Sequence, residues 1–76
     1  MAQEIQLLDV VALTDDLPKH GLYRGQVGTL VEKLAPDVYE VEFSDTDGQT
    51  YALAPVHVSQ CLKLHFHSVP AAPSTS

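Results

Sequence analysis

The chain has 76 residues, a single cysteine, and a formal net charge of −6 from ten acidic and four basic residues. A chain of this length forms one domain, and one cysteine excludes an internal disulfide. Residues 1–20 hold no basic segment followed by an apolar run, and no apolar stretch approaches the ~20 residues of a membrane helix. We therefore expect a cytoplasmic bacterial protein in reducing surroundings. The acidity disfavours a nucleic-acid binder, because acidic surfaces repel phosphate.

The first strand is predicted over residues 7–13, which are apolar apart from Asp9. Residues 14–24 follow as a long loop that contains Pro18 and Gly21 and shows neither helical nor strand periodicity. A loop of this length is usually functional or is packed by its own side chains.

The central stretch, residues 21–43, predicts a hairpin of two strands over 26–34 and 38–44, joined by a turn at 35–37. In the second strand Tyr39, Val41 and Phe43 alternate with polar residues, as in a half-buried strand. The first strand does not alternate strictly, and a bulge at Gly28 would reconcile its two phases.

Residues 44–49 contain Asp-Gly, a strong hairpin signal. A strand over 50–54 follows, with Tyr51 and Leu53 facing the core, and Pro55 is expected to end it. Residues 56–60 predict a 3₁₀ turn, and residues 62–66 alternate as a last strand. The domain thus spans 1–67, and 68–76 form a tail too polar to order itself.

Five antiparallel strands, a long first loop and one 3₁₀ turn before the last strand predict an all-β fold, a small SH3-like barrel. The side chains predicted to form its core are Val11, Val27, Leu30, Val41, Phe43, Leu53, Leu62 and Leu64.

The chain also resembles an uncharacterised family of small bacterial proteins, common in cyanobacteria, that is known only as a domain of unknown function. The matching segments are LLDVVALTDDLP (7–18), GLYRGQVGTLVE (21–32), YEVEF (39–43), DGQTYAL (47–53) and LKL (62–64). The resemblance implies an SH3-like fold and brings no established activity, so it assigns no functional residue.

Several side chains are candidates for chemistry. His57, Cys61, His65 and His67 are of metal-ligating types, but their strand spacing fits exposed residues better than a metal site. Cys61 is better explained as a buried filler than as a nucleophile. Residues 45–48 lack the remaining ligands of a calcium loop, and turn chemistry explains them. We predict no catalytic residue, no metal and no cofactor.

The leading hypothesis is a non-enzymatic module that binds another protein, a basic one, with no nucleic acid and no membrane involved. Carboxylates would steer the partner and a few apolar side chains would anchor it. One form is an antitoxin-like or immunity-like protein, and another is an accessory subunit of a larger complex. The competing hypothesis is a nucleic-acid or ribosome-associated barrel. The predicted partner-binding residues are Asp15, Asp16, Leu17, Leu22, Tyr23, Glu32, Glu40 and Glu42.

Overall fold

A computed structural model describes residues 4–65 of the chain. Its strands are β1 (Val10–Leu13), β2 (Val27–Ala35), β3 (Val38–Ser44), β4 (Thr50–His57) and β5 (Cys61–Lys63). They form one antiparallel sheet in the order β4-β3-β2-β1-β5. The helical elements in this part of the chain are two 3₁₀ turns, Pro18–His20 and Val58–Gln60. The predicted all-β fold, with a 3₁₀ turn before the last strand, is confirmed. The tail predicted for 68–76 lies outside the described residues.

The core forms mainly on one face of the sheet. The alternation predicted for β3 is confirmed, since Tyr39, Val41 and Phe43 are buried. The buried hydrophobic residues are Val11, Leu13, Leu22, Leu30, Tyr39, Val41, Phe43, Ala54, Val56 and Cys61. Four predicted core residues, Val11, Leu30, Val41 and Phe43, are among them. Three others, Val27, Leu53 and Leu62, are exposed, so those assignments were wrong, and Leu64 is half-buried.

Two expectations for β4, the core-facing Leu53 and the end at Pro55, were wrong for separate reasons. Phe43 pairs with Ala52 but Ser44 pairs with Thr50, so Tyr51 is an extra residue that shifts the phase of the strand. Pro55 does not end β4, which continues to His57. Because β4 lies at the edge of the sheet, a proline is tolerated where its missing N–H would face away from β3.

Gly28 has a different role from the predicted bulge. It pairs regularly with Val11 and Phe43, and the register shifts of β2 lie further along the strand. A Cβ atom at Gly28 would approach Val41 Cγ1 to 2.6 Å and the carbonyl oxygen of Glu42 to 2.9 Å. The glycine is therefore required by close packing of β2 against β3.

The long loop after β1 folds back on itself. Leu17 and Leu22 exchange both backbone hydrogen bonds, at 2.8 and 3.2 Å, around the first 3₁₀ turn. Gly21 closes that turn with a φ of 69°. Leu22 is 0% exposed and belongs to the core, whereas its neighbour Tyr23 is 52% exposed. The loop is thus packed by its own side chains, which is one of the two expectations for a loop of this length.

Candidate protein-interaction surface

A bulge in β2 sets the position of two glutamates. Leu30 pairs with Val41, and in a regular ladder Val31 would pair with Glu40. The register shifts there by one residue, so that Glu32 takes the place opposite Glu40. Directly opposed side chains on an antiparallel pair have Cβ atoms about 5 Å apart, and like charges at such positions are destabilising.

These glutamates lie on the outer face of the sheet. The residues that alternate with Glu40 and Glu42 in β3 are buried, so both glutamates point away from the core. Glu42 pairs with Thr29 on one side and Leu53 on the other, and it accepts a hydrogen bond from the hydroxyl of Thr50. We call Glu32, Glu40 and Glu42 the acidic face.

The basic side chains of the chain lie elsewhere. Lys33 pairs with Tyr39 and so occupies the opposite face of the ladder. Lys63 forms an ion pair with Asp9, with an Nζ–Oδ2 distance of 3.2 Å. Lys19 lies in the first 3₁₀ turn, and Arg24 follows in the long loop. Within residues 4–65, no lysine or arginine forms an ion pair with the acidic face.

The predicted loop residues lie nearer to the Glu42 end of the acidic face than to Glu32, because Glu42 pairs with Thr29, two residues beyond Val27. Glu32 lies five residues beyond Val27, where β2 leaves the loop, which corresponds to about 16 Å of strand. Asp15 and Asp16 are exposed, and the Asp16 carboxylate accepts the backbone N–H of Arg24 at 2.9 Å. Leu17 is half-buried against the core.

Leu22 cannot serve as an exposed anchor, because it is fully buried; this part of the predicted site was wrong. Tyr23 remains available on the surface. Its backbone N–H donates to the side chain of Gln26, which in turn donates to the hydroxyl of Tyr51 at 3.0 Å. These bonds hold the end of the loop against the start of β4.

Two of the histidine and cysteine candidates, His57 and Cys61, have structural roles. The Nδ1 atom of His57 accepts the backbone N–H of Ser59 at 3.0 Å and so caps the second 3₁₀ turn. Gln60 completes the cap by accepting the N–H of His57. His65 is exposed, and His67 lies outside the described residues. Residues 4–65 contain no group of three metal-ligating side chains.

Cys61 is buried, and its burial raises the pKa of the thiol to about 11. A thiol with so high a pKa carries little of the thiolate needed for nucleophilic attack at neutral pH. Its interpretation as a buried filler is confirmed.

The Asp-Gly hairpin is also confirmed, because the Asp45 carboxylate accepts the N–H groups of Asp47 and Gln49.

A feature that the sequence did not indicate is the turn at Gln6–Asp9. The predicted first strand begins at Val10 rather than at residue 7. The N–H of Asp9 donates to the carbonyl of Gln6 at 3.1 Å, and Leu8, at the third position of the turn, has a φ of 72°. Asp9 favours a turn, but the two leucines before it fit a strand equally well. Both leucines are exposed, Leu8 at 75%.

The Asp9 carboxylate fixes this turn. It accepts the backbone N–H of Gln6 at 2.9 Å and faces the ammonium group of Lys63. The bond from Gln6 lowers the pKa of Asp9 most, burial opposes it, and the bond and charge of Lys63 lower the pKa further. Lys63 also donates to the carbonyl of Glu4, so the turn is tied to β5.

Fold and surface together define a small all-β domain with an acidic outer sheet face. The chain belongs to the family described as Domain of unknown function (DUF4926), whose model matches residues 7–63. Comparisons with curated proteins and with solved structures found no match. No helix in residues 4–65 is long and apolar enough to cross a membrane.

Proposed function

We propose that the chain is a non-enzymatic interaction module that binds a basic protein partner on its acidic face. The observation that supports this most strongly is the opposition of Glu32 and Glu40, neither of which forms an ion pair with a lysine or arginine within residues 4–65. A like-charge pair lowers the stability of a small domain, and one substitution would restore that stability. Such a pair is expected where the charges act on another molecule.

The composition of the face agrees with a protein partner. Leu53, which pairs with Glu42, is 56% exposed, and Pro55 lies beside Glu40 on the same side of the sheet. Exposed apolar side chains next to charges are typical of interface residues, in which charges steer the partner and apolar contacts hold it.

The strand order and the 3₁₀ turn before β5 support an SH3-like barrel as the scaffold. In this proposal the protein is bacterial and cytoplasmic, and it serves as an antitoxin-like or immunity-like protein or as an accessory subunit. All of these forms need only that an acidic surface cover a basic one.

Capture from a lysate of the native host tests the proposal. The bait is the wild-type chain, a Glu32→Gln/Glu40→Gln variant, or a control Asp37→Asn/Asp47→Asn variant that loses the same two charges at exposed turns. We expect wild type and the control to capture the same basic protein, and the Glu32→Gln/Glu40→Gln variant to lose it. Equal capture by all three baits would show that the acidic face is not the site.

The competing hypothesis of a nucleic-acid or ribosome-associated barrel predicts a different outcome. A nucleic-acid binder should be retained on heparin in a salt-dependent manner, whereas an acidic protein-binding module should be retained on an anion exchanger. Retention on heparin, together with nuclease-sensitive capture, would favour the competing hypothesis.

A further inference from the structure

The turn at Gln6–Asp9 places a leucine where glycine is normally found. Leu8 has a φ of 72°, a left-handed conformation that is costly for residues with a Cβ atom. The same residue forms a bulge with Asp9: the N–H of Leu8 donates to the carbonyl of Leu30 at 2.7 Å, and the N–H of Leu30 donates to the carbonyl of Asp9 at 3.0 Å. The third position of such a turn and the first position of such a bulge both favour glycine.

Burial does not compensate for this strain. Leu8 is 75% exposed, so its side chain contributes little to the core. Leu7 precedes it and is 50% exposed. A strained, exposed apolar residue is expected where its side chain contacts another molecule.

The turn borders the acidic face. The hydrogen bond from Leu8 to Leu30 places the turn beside Val31, the extra residue of the β2 bulge, which is itself exposed. Glu32 follows Val31 directly and lies opposite Glu40. The backbone thus places the turn, the exposed Val31 and the opposed Glu32 and Glu40 next to one another.

We infer that Leu7 and Leu8 are the apolar anchors of the partner site, and this inference rests on the proposed function. The occupant is a protein segment that carries bulky apolar side chains flanked by lysines or arginines. Its apolar side chains cover Leu7, Leu8 and Val31, and its cations pair with the acidic face. The site therefore lies along β2 and the N-terminal turn, at the Glu32 end of the acidic face.

Three synthetic peptides of equal length test the inference: one built of lysine and leucine, one of lysine and serine, and one of glutamate and leucine. Each is titrated into the full-length, ¹⁵N-labelled chain, and the amide shifts give both the affinity and the location of binding. The variants are Leu8→Gly and Leu8→Asn, which both suit a left-handed backbone, the Glu32→Gln/Glu40→Gln variant, and the control Leu62→Ser at an exposed position of β5.

We expect the lysine–leucine peptide to bind best and to shift the amides of Leu8, Val31 and Glu32. Both Leu8 variants should bind it about tenfold more weakly, as is usual when an anchor is truncated, and Leu62→Ser should bind like wild type. The melting temperature of Leu8→Gly should not fall, so that its weaker binding cannot be ascribed to unfolding.

The remaining outcomes separate the two claims. If the Glu32→Gln/Glu40→Gln variant loses the peptide but Leu8→Gly and Leu8→Asn keep it, the anchor inference is wrong and the proposed function stands. If wild type does not bind, or binds no better than the Glu32→Gln/Glu40→Gln variant, the proposed function fails and the inference fails with it. Equal binding of the glutamate–leucine peptide overturns the assignment of a basic occupant.

Discussion

The replacement of Leu22 by alanine distinguishes the structure from the sequence-based interpretation most sharply. The sequence placed Leu22 on the surface as a binding anchor, whereas the structure buries it completely in the core. Truncating a buried leucine costs about 2–5 kcal/mol, from lost burial and the cavity that remains. A domain of this size is stable by about 4–11 kcal/mol, so Leu22→Ala should remove a large part of the free energy of unfolding.

Tyr23→Ala is the matched control, because Tyr23 lies next in the same loop and is half exposed. Its effect on the free energy of unfolding should stay within roughly 1 kcal/mol. Urea denaturation of both variants, followed by circular dichroism, measures the difference. If Leu22→Ala unfolds at the same urea concentration as wild type, the placement of the loop against the core is wrong.

Three further predictions concern single residues. Gly28→Ala should destabilise the domain by about 1–3 kcal/mol in urea denaturation, because its Cβ atom would clash with Val41; an unchanged midpoint would contradict the close packing. The thiol of Cys61 should react slowly with a thiol reagent at neutral pH until denaturant is added, and rapid labelling of the folded chain would argue against its burial. The lowered pKa of Asp9 stabilises the fold above about pH 4, and this stabilisation is lost as the pH falls through the folded pKa. The difference in melting temperature between wild type and Asp9→Asn should therefore shrink on acidification; a difference that stays the same at all pH values would refute this.

The sequence predicted what depends on local pattern. The alternation of Tyr39, Val41 and Phe43 predicted the correct face of β3, and Asp47-Gly48 predicted the hairpin between β3 and β4. Both signals act within a few residues, so no tertiary information was needed to interpret them.

The sequence failed where one residue shifts a register. The extra residue at Tyr51 turns Leu53 outward, and the small Ala54 rather than a larger side chain pairs with Val41 inside. A single inserted residue exchanges the two faces of a strand, and no local pattern signals it.

The candidate site depended on the same kind of event. Glu32 and Glu40 were both predicted as partner-binding residues, but their direct opposition follows from the bulge at Val31. The Leu8 turn was missed because leucine predicts a strand there, and only the backbone shows the left-handed conformation. A backbone conformation that opposes the preference of its residue cannot be predicted from that preference.

The central claim is that the acidic face binds a basic protein, and the association rate measures it most directly. The partner captured from the host is immobilised, and the wild-type chain, Glu32→Gln/Glu40→Gln and Asp37→Asn/Asp47→Asn are passed over it at low and high salt. We predict that Glu32→Gln/Glu40→Gln associates more slowly and with a weaker salt dependence than the control variant of equal net charge, because charges at the interface steer the encounter. Identical association rates and salt dependences for the two variants would contradict the account.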